Sequence, residues 1–174
     1  MNENRNRRKI IVNADDFGIT AGVNQAIIEL AESGAITSTS LMTNMPLAAG
    51  ATLVKHKIGT GVHLNLTTGR PVSDPQQIPS LVNRSGEFHC LSVLLQRYRT
   101  RRLSKSEIEL EFTAQMKRAF EIGMCPDHFD AHESLLKYPL FEAVARKVAH
   151  DFGVNAVRTY RQQKVVLLSD FAKT

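Results

Sequence analysis

The sequence predicts an α/β fold built on a parallel sheet. Three observations carry that expectation. Apolar patterning switches repeatedly between short strand-like runs and helical spacing, as it does in βα units. Helix signals punctuate those runs, with Thr20, Pro46, Ser104 and Pro139 at starts and Gly34, Gly123 and Gly153 at stops. The polar residues best suited to chemistry fall at predicted strand ends, where parallel βα architectures assemble their sites from distant parts of the chain.

Ile10-Ile11-Val12 reads as the first strand. Thr20 then caps a helix whose Val23, Ala26, Ile27, Leu30 and Ala31 recur at helical spacing up to Gly34. The Thr- and Ser-rich run Ile36 to Met42 reads as the second strand, Pro46 opens a short helix to about Lys55, and Gly59 to Leu66 is the third strand. Residues 67–89 carry Gly69, Pro71, Pro75, Pro79 and Gly86 without sustained period, and so read as a long loop of the functional or mobile kind. Helical sequence resumes near Leu91, and Ser104 with Glu107 forms a capping box for a helix to Ile122. Asp127 to Ala131 is the fourth strand, Pro139 to His150 a helix, Val154 to Val157 the fifth strand and Lys164 to Leu168 a sixth.

The 174 residues carry 22 Lys and Arg against 17 Asp and Glu, a formal charge of +5, with 43% hydrophobic residues. This is the composition of an ordinary globular domain and excludes a collagen-like repeat, a disordered chain or a disulfide scaffold. The expected organisation is a basic tail over residues 1–9 and one catalytic domain over residues 10–174. Arg5, Arg7, Arg8 and Lys9 against Glu3 give the tail +3, which leaves +2 for the remainder. A second basic cluster, Arg97, Arg99, Arg101, Arg102 and Lys105, is followed at once by Glu107, Glu109 and Glu111 and reads as locally neutralised helix surface. Nucleic acid is therefore not an expected partner. The absence of a long apolar run and the polar N-terminus speak against a membrane span and a signal peptide. Cys90 and Cys125 lack CxxC spacing and read as small buried residues of a cytoplasmic protein.

Asn13-Ala14-Asp15-Asp16-Phe17-Gly18 puts adjacent carboxylates directly after an apolar strand. Adjacent strand residues face opposite ways, so the pair divides its roles: one carboxylate binds a cation and the other takes a proton from water, or one caps the following helix. In Gly61 to Leu66, alternation sets His63 and Asn65 on the face opposite Val62, Leu64 and Leu66. His128, Asp130 and His132 share one side of the fourth strand by the same rule. A carboxylate with two imidazoles is a common catalytic cation shell, and a cation held there polarises a carbonyl and acidifies water. The chemistry implied is hydrolysis. Neither HExxH, a P-loop nor GxSxG occurs, which removes the protease, nucleotide-triphosphatase and serine-hydrolase motifs. Arg158, at the end of the fifth strand, either addresses substrate or forms an ion pair with Asp130 or Asp15. Phe17 and Tyr160 are aromatic candidates for a sugar ring or for the core.

With these residues in view, the chain resembles the YdjC-like carbohydrate deacetylases. The resemblance rests on four blocks in order: Ile11 to Gly18, Ile36 to Asn44, Gly61 to Thr67 with Gly69-Arg70-Pro71, and Pro126 to His132. It implies a distorted TIM-barrel-like (β/α) fold and metal-dependent removal of N-acetyl groups from amino sugars or their oligomers. By matched position, Asp16, His63 and His132 are the implied metal ligands and Asp15 the general base. His128 and Asp130 are implied to orient those ligands, and Asn65 and Arg158 to support them or the substrate. One divalent ion, Mg2+ or Zn2+, is the implied cofactor, and an N-acetylated carbohydrate the implied partner. Two departures stand out. Glu133-Ser134-Leu135-Leu136 follows His132 where the family continues with further histidines. A complete barrel takes about 250 residues, so the barrel is expected to be incomplete at this length, through truncation or through closure by a second copy in a homo-oligomer. Two other readings follow from the same residues: a metal-dependent phosphoesterase, which needs a second metal site, and a non-catalytic sugar- or metal-binding remnant of the fold.

Overall fold

A computed structural model describes residues 10–159. The basic segment 1–9, Tyr160 and the expected sixth strand lie outside the described residues. Five parallel strands form one sheet: β1 (Asn13–Phe17), β2 (Ser38–Leu41), β3 (Gly59–Leu64), β4 (His128–Ala131) and β5 (Ala156–Val157). Their spatial order is their sequence order. A doubly wound sheet reverses direction part-way, whereas sequential parallel pairing is the progression of a (β/α) barrel. The helices between them are α1 (Ala21–Glu32), α2 (Leu91–Arg99), α3 (Lys105–Glu121) and α4 (Pro139–Asp151), with short 3-10 turns at Ala48–Leu53, Pro75–Gln77 and His132–Lys137.

The first strand begins later than its apolar sequence suggests. Ile10, Ile11 and Val12 are exposed, and pairing with β2 starts at Asn13 opposite Ser38. Local signals elsewhere set the elements as expected. The Thr20 hydroxyl accepts from the Val23 amide at 3.1 Å, and Pro139 opens α4. Only half of the expected capping box forms, because Ser104 caps α3 through the Glu107 amide while the Glu107 carboxylate accepts from the Ser80 amide at 2.7 Å.

The two faces of the sheet differ in chemistry. Phe17, Leu41, Val62, Leu64 and Phe129 are buried with Ile108, Phe112, Phe141, Val144 and Val148 of α3 and α4 in one apolar core. Ser38, Ser40, His63 and Asp130 are buried as well, yet polar, and they interact with one another and with His128 across the other face. Alternation along each strand produces this division, and burial of polar groups is tolerated because they satisfy one another.

Segment 67–89 is tied down by α3. Glu111, fully buried, accepts from the amides of Val72 at 3.0 Å and Ser73 at 2.9 Å and from Gln115 Nε2 at 2.7 Å. Gln115 in turn donates to the Asn65 carbonyl at 2.6 Å and accepts from its amide at 2.9 Å. These bonds overturn the expected charge neutralisation of the basic cluster. Glu107 and Glu111 serve loop amides and Glu109 pairs with Lys147, so among the described residues no ion pair reaches Arg97, Arg99, Arg101, Arg102 or Lys105. The two cysteines are exposed, not buried. No helix among the described residues is long and apolar enough to cross a membrane.

Candidate metal centre at the strand ends

A bulge in β1 creates the site. Register runs from Ala14 opposite Thr39 to Phe17 opposite Leu41, so β1 contains one residue more than β2 over this stretch. Asp16 takes a left-handed conformation with φ 66° to absorb it. An Asp tolerates that region better than most residues, and a side chain can be re-aimed by such a bulge. The simple alternation expected of the pair therefore fails. Both carboxylates turn toward the same histidine, and His63 is common to the two groups of ligand atoms, Asp16 with His132 and Asp15 with Asp130.

His63 Nε2 lies 3.2 Å from Asp16 Oδ1, and His132 Nδ1 donates to that same oxygen at 2.9 Å. The two rings are edge to face, with centroids 5.5 Å apart. His132 begins the turn after β4, and the next two residues, Glu133 and Ser134, are left-handed at φ 51° and 56°. That backbone turn carries the chain away from the strand immediately after the imidazole.

Behind His63 stands Asp130, its register partner on β4. His63 Nδ1–H donates to Asp130 Oδ1 at 2.6 Å, which leaves Nε2 directed at Asp16. The second Asp130 oxygen accepts from the Ser40 hydroxyl at 2.8 Å and faces Arg158 Nη2 at 2.9 Å. Arg158 also clasps Asp15 through both carboxylate oxygens, at 2.8 and 2.6 Å. It thus makes both of the ion pairs that the sequence offered as alternatives.

Electrostatics follow the geometry. Burial pushes His63 down, but hydrogen bonds to Asp130 and Asp16 outweigh it and the imidazole is raised to about 9. Asp16 is held far below the ordinary carboxylate range by its bonds to His132 and His63. Burial pushes Asp15 up, yet the Arg158 guanidinium, His63 and Asn13 together bring it below its usual value. Two imidazoles crowd one anionic oxygen, so the cluster has the donors of a divalent-cation site. Neutral histidines would offer lone pairs where the cation-free protein keeps protons. The set of one carboxylate and two imidazoles fits zinc well, and magnesium would need added oxygen ligands.

The remaining expected residues sit further off. His128 opens β4 and is half-buried, bonded to Asp127 and 3.4 Å from Ser38 Oγ, where it borders a cleft of about 470 Å³ with Asn13 and Arg158. Asn65 is fully buried and organises the loop: its Oδ1 accepts from the amides of Thr67 and Thr68, and its Nδ2 donates to the Thr68 carbonyl. Phe17 is core. Sequence reading missed Ser40 and Glu111, whose partners lie 90 and 38 or more residues away and leave no local signal.

The sequence model of the family described as YdjC-like protein matches residues 9–173. The chain belongs to the YdjC-like family. Among curated relatives, one of Geobacillus stearothermophilus described as a carbohydrate deacetylase is 38% identical over 94% of this chain and 66% of its own length. One of Danio rerio, also described as a carbohydrate deacetylase, is 35% identical over 86% of this chain and 49% of its own length. A crystal structure from Enterococcus faecalis, described as a candidate cellobiose-phosphate cleavage protein, superposes with a TM-score of 0.78 at 30% identity. It covers 88% of this chain and 59% of that one. The chain spans two thirds or less of the length of these relatives.

Proposed function

We propose that the protein is a metal-dependent hydrolase that removes N-acetyl groups from amino sugars or chitooligosaccharide-like carbohydrates. The observation that supports this most is the convergence of His63 and His132 on Asp16 beside a second carboxylate, Asp15, held by Arg158. Curated relatives described as carbohydrate deacetylases support the reaction class.

In this reading Asp16, His63 and His132 hold one divalent ion, Zn2+ or Mg2+, which when bound acidifies water and polarises the acetyl carbonyl. Asp15 is ionised at neutral pH, because the Arg158 guanidinium clasped to its two oxygens favours the charged form against the cost of burial. It can therefore accept a proton from water as that water attacks the amide carbon, and return it to the amine nitrogen as the C–N bond breaks and acetate leaves. A carboxylate of low basicity suits the task only if the water is made acidic, so the base and the cation are interdependent. Arg158 fixes the direction of Asp15, and its two-oxygen clasp prevents the carboxylate from rotating into the cation shell. Asp130 holds the His63 ring and its tautomer, leaving Nε2 for the cation.

A phosphoesterase would call for a second cation. The other acidic group, Asp15 with His63 and Asp130, already holds the Arg158 guanidinium between its two carboxylates, where a second cation would have to sit against that positive charge. Acetate release from N-acetylglucosamine oligomers, with zinc or magnesium and with chelator, tests the proposal. Metal-dependent acetate release that falls at least about a hundredfold in Asp15→Asn is expected, in line with the loss of a general base. Cation binding without any turnover would favour the non-catalytic remnant.

A further inference from the structure

Three features away from the candidate metal centre carry no ligand signature. The basic knuckle at Arg97 to Lys105 has no ligand-directed observation beside its charge, and the apolar groove between α1 and Leu53 has nothing to say what covers it. Exposed Cys90 is a lone thiol. The buried polar face beneath the candidate metal centre carries more.

There, five side chains close a ring of hydrogen bonds and ion pairs. Asn13 Nδ2 donates to Asp15 Oδ1 at 2.7 Å and, with its other hydrogen, to Ser40 Oγ at 2.8 Å. Ser40 passes its single hydroxyl hydrogen to Asp130 Oδ2 at 2.8 Å. Arg158 completes the circuit from Asp130 back to Asp15. Every hydrogen is used once, so the direction of each bond is fixed by the inventory of donors: an amide has two, a hydroxyl one, and both carboxylates only accept. Ser40 is completely buried. Without it, Asp130 Oδ2 would keep Arg158 as its one hydrogen-bonding neighbour among the described side chains.

We propose that Ser40 and Asn13 are positioning residues, which lock Asp130, and through it the His63 ring, and couple that lock to Asp15. The inference rests on the cation-site reading above. Its physical basis is that a buried carboxylate gripping a histidine holds it only as well as its own second oxygen is held. The ring has two arms between Asp15 and Asp130, one ionic through Arg158 and one neutral through Asn13 and Ser40. A single arm leaves the carboxylates able to pivot. With both arms in place, the ligand histidine and the base carboxylate move as one unit.

The test is zinc titration of metal-stripped wild-type protein, Ser40→Ala and Asn13→Ala, with the ring-proton NMR signals of His63 and His132 read in the zinc-loaded forms. If wild-type protein binds no zinc, the cation-site reading fails. If it does bind, the proposal predicts that affinity in Ser40→Ala falls about tenfold or more. The His63 Nδ1 proton signal moves while that of His132 stays. A folded Ser40→Ala with unchanged affinity and an unmoved His63 signal overturns the proposal. Should Ser40→Ala not fold, Asn13→Ala, which keeps the hydroxyl but removes its donor, is expected to weaken zinc by a smaller factor with the same His63 signature. Unfolding of both would assign the ring to the fold and not to the histidine, and would equally overturn it.

Discussion

His63 and Asp130 are register partners on adjacent parallel strands, and the side-chain bond between them, at 2.6 Å, runs across the polar face of the sheet. The strand pairing itself therefore sets the orientation of an imidazole whose other nitrogen faces Asp16. Asp130→Ala is expected to weaken zinc binding by about 10- to 100-fold while leaving secondary structure intact, the usual cost of removing such a partner. Calorimetric titration beside circular dichroism checks both halves of the prediction.

In the proposed cation site, proton competition at His63 is expected to give the affinity a pH dependence. Its imidazole is raised to about 9, so below that pH a cation must displace a proton. Affinity is expected to rise by about tenfold per pH unit between pH 6.5 and 9 and then to level off. Stability of the cation-free protein has the opposite trend in this window. A raised pKa stabilises fully below the unfolded value of 6.5 and is lost as pH rises through about 9. Asp16, whose pKa is lowered from 3.8, contributes stability above that value that disappears as pH falls through its lower folded value. The cation-free melting temperature should therefore decline from pH 6.5 to 9, and His63→Asn should flatten that decline. A flat wild-type curve would contradict the His63 bonding described.

The left-handed backbone of Asp16 makes a paired prediction. Asp16→Gly and Asp16→Ala both lose the bonds to His63 and His132, but only Ala keeps a Cβ in a conformation with φ 66°. The glycine variant should be more stable by about 1 kcal/mol. Chemical denaturation in the presence of chelator measures the difference, and equal stabilities would mean that the bulge relaxes.

Glu111 predicts where loop 67–89 opens. Glu111→Ala strands the Val72 and Ser73 amides and should cost about 1–3 kcal/mol. Hydrogen exchange at those two amides should accelerate well beyond that of the Thr20-capped start of α1. Unchanged protection would show that the loop is held by other contacts.

Much of this architecture is legible in the sequence, and the exceptions share a cause. Thr20, Ser104, Pro139 and the apolar spacing of Val23, Ile27 and Ala31 act within a few residues, so α1, α3 and α4 are found where expected. Ile10-Ile11-Val12 misleads because β-branched residues fit a strand, whereas pairing begins only at Asn13. The Glu107 carboxylate was expected to serve Ser104, three residues before it, but bonds to Ser80 in the preceding loop. The strand-end residues Asp15, Asp16, His63, His132 and Arg158 do come together in space, a consequence of parallel register. The bulge that turns both aspartates toward one histidine was illegible, because an Asp-Asp pair does not announce a left-handed residue.

In the proposed function, three side chains from three strand ends form one cation site. Calorimetric titration of metal-stripped protein with zinc, then magnesium, tests it most directly when wild-type protein is compared with His63→Ala and His132→Ala. One tight equivalent is expected in the wild type, with its loss in both variants. Undiminished binding in either variant, or no binding in the wild type, would contradict it.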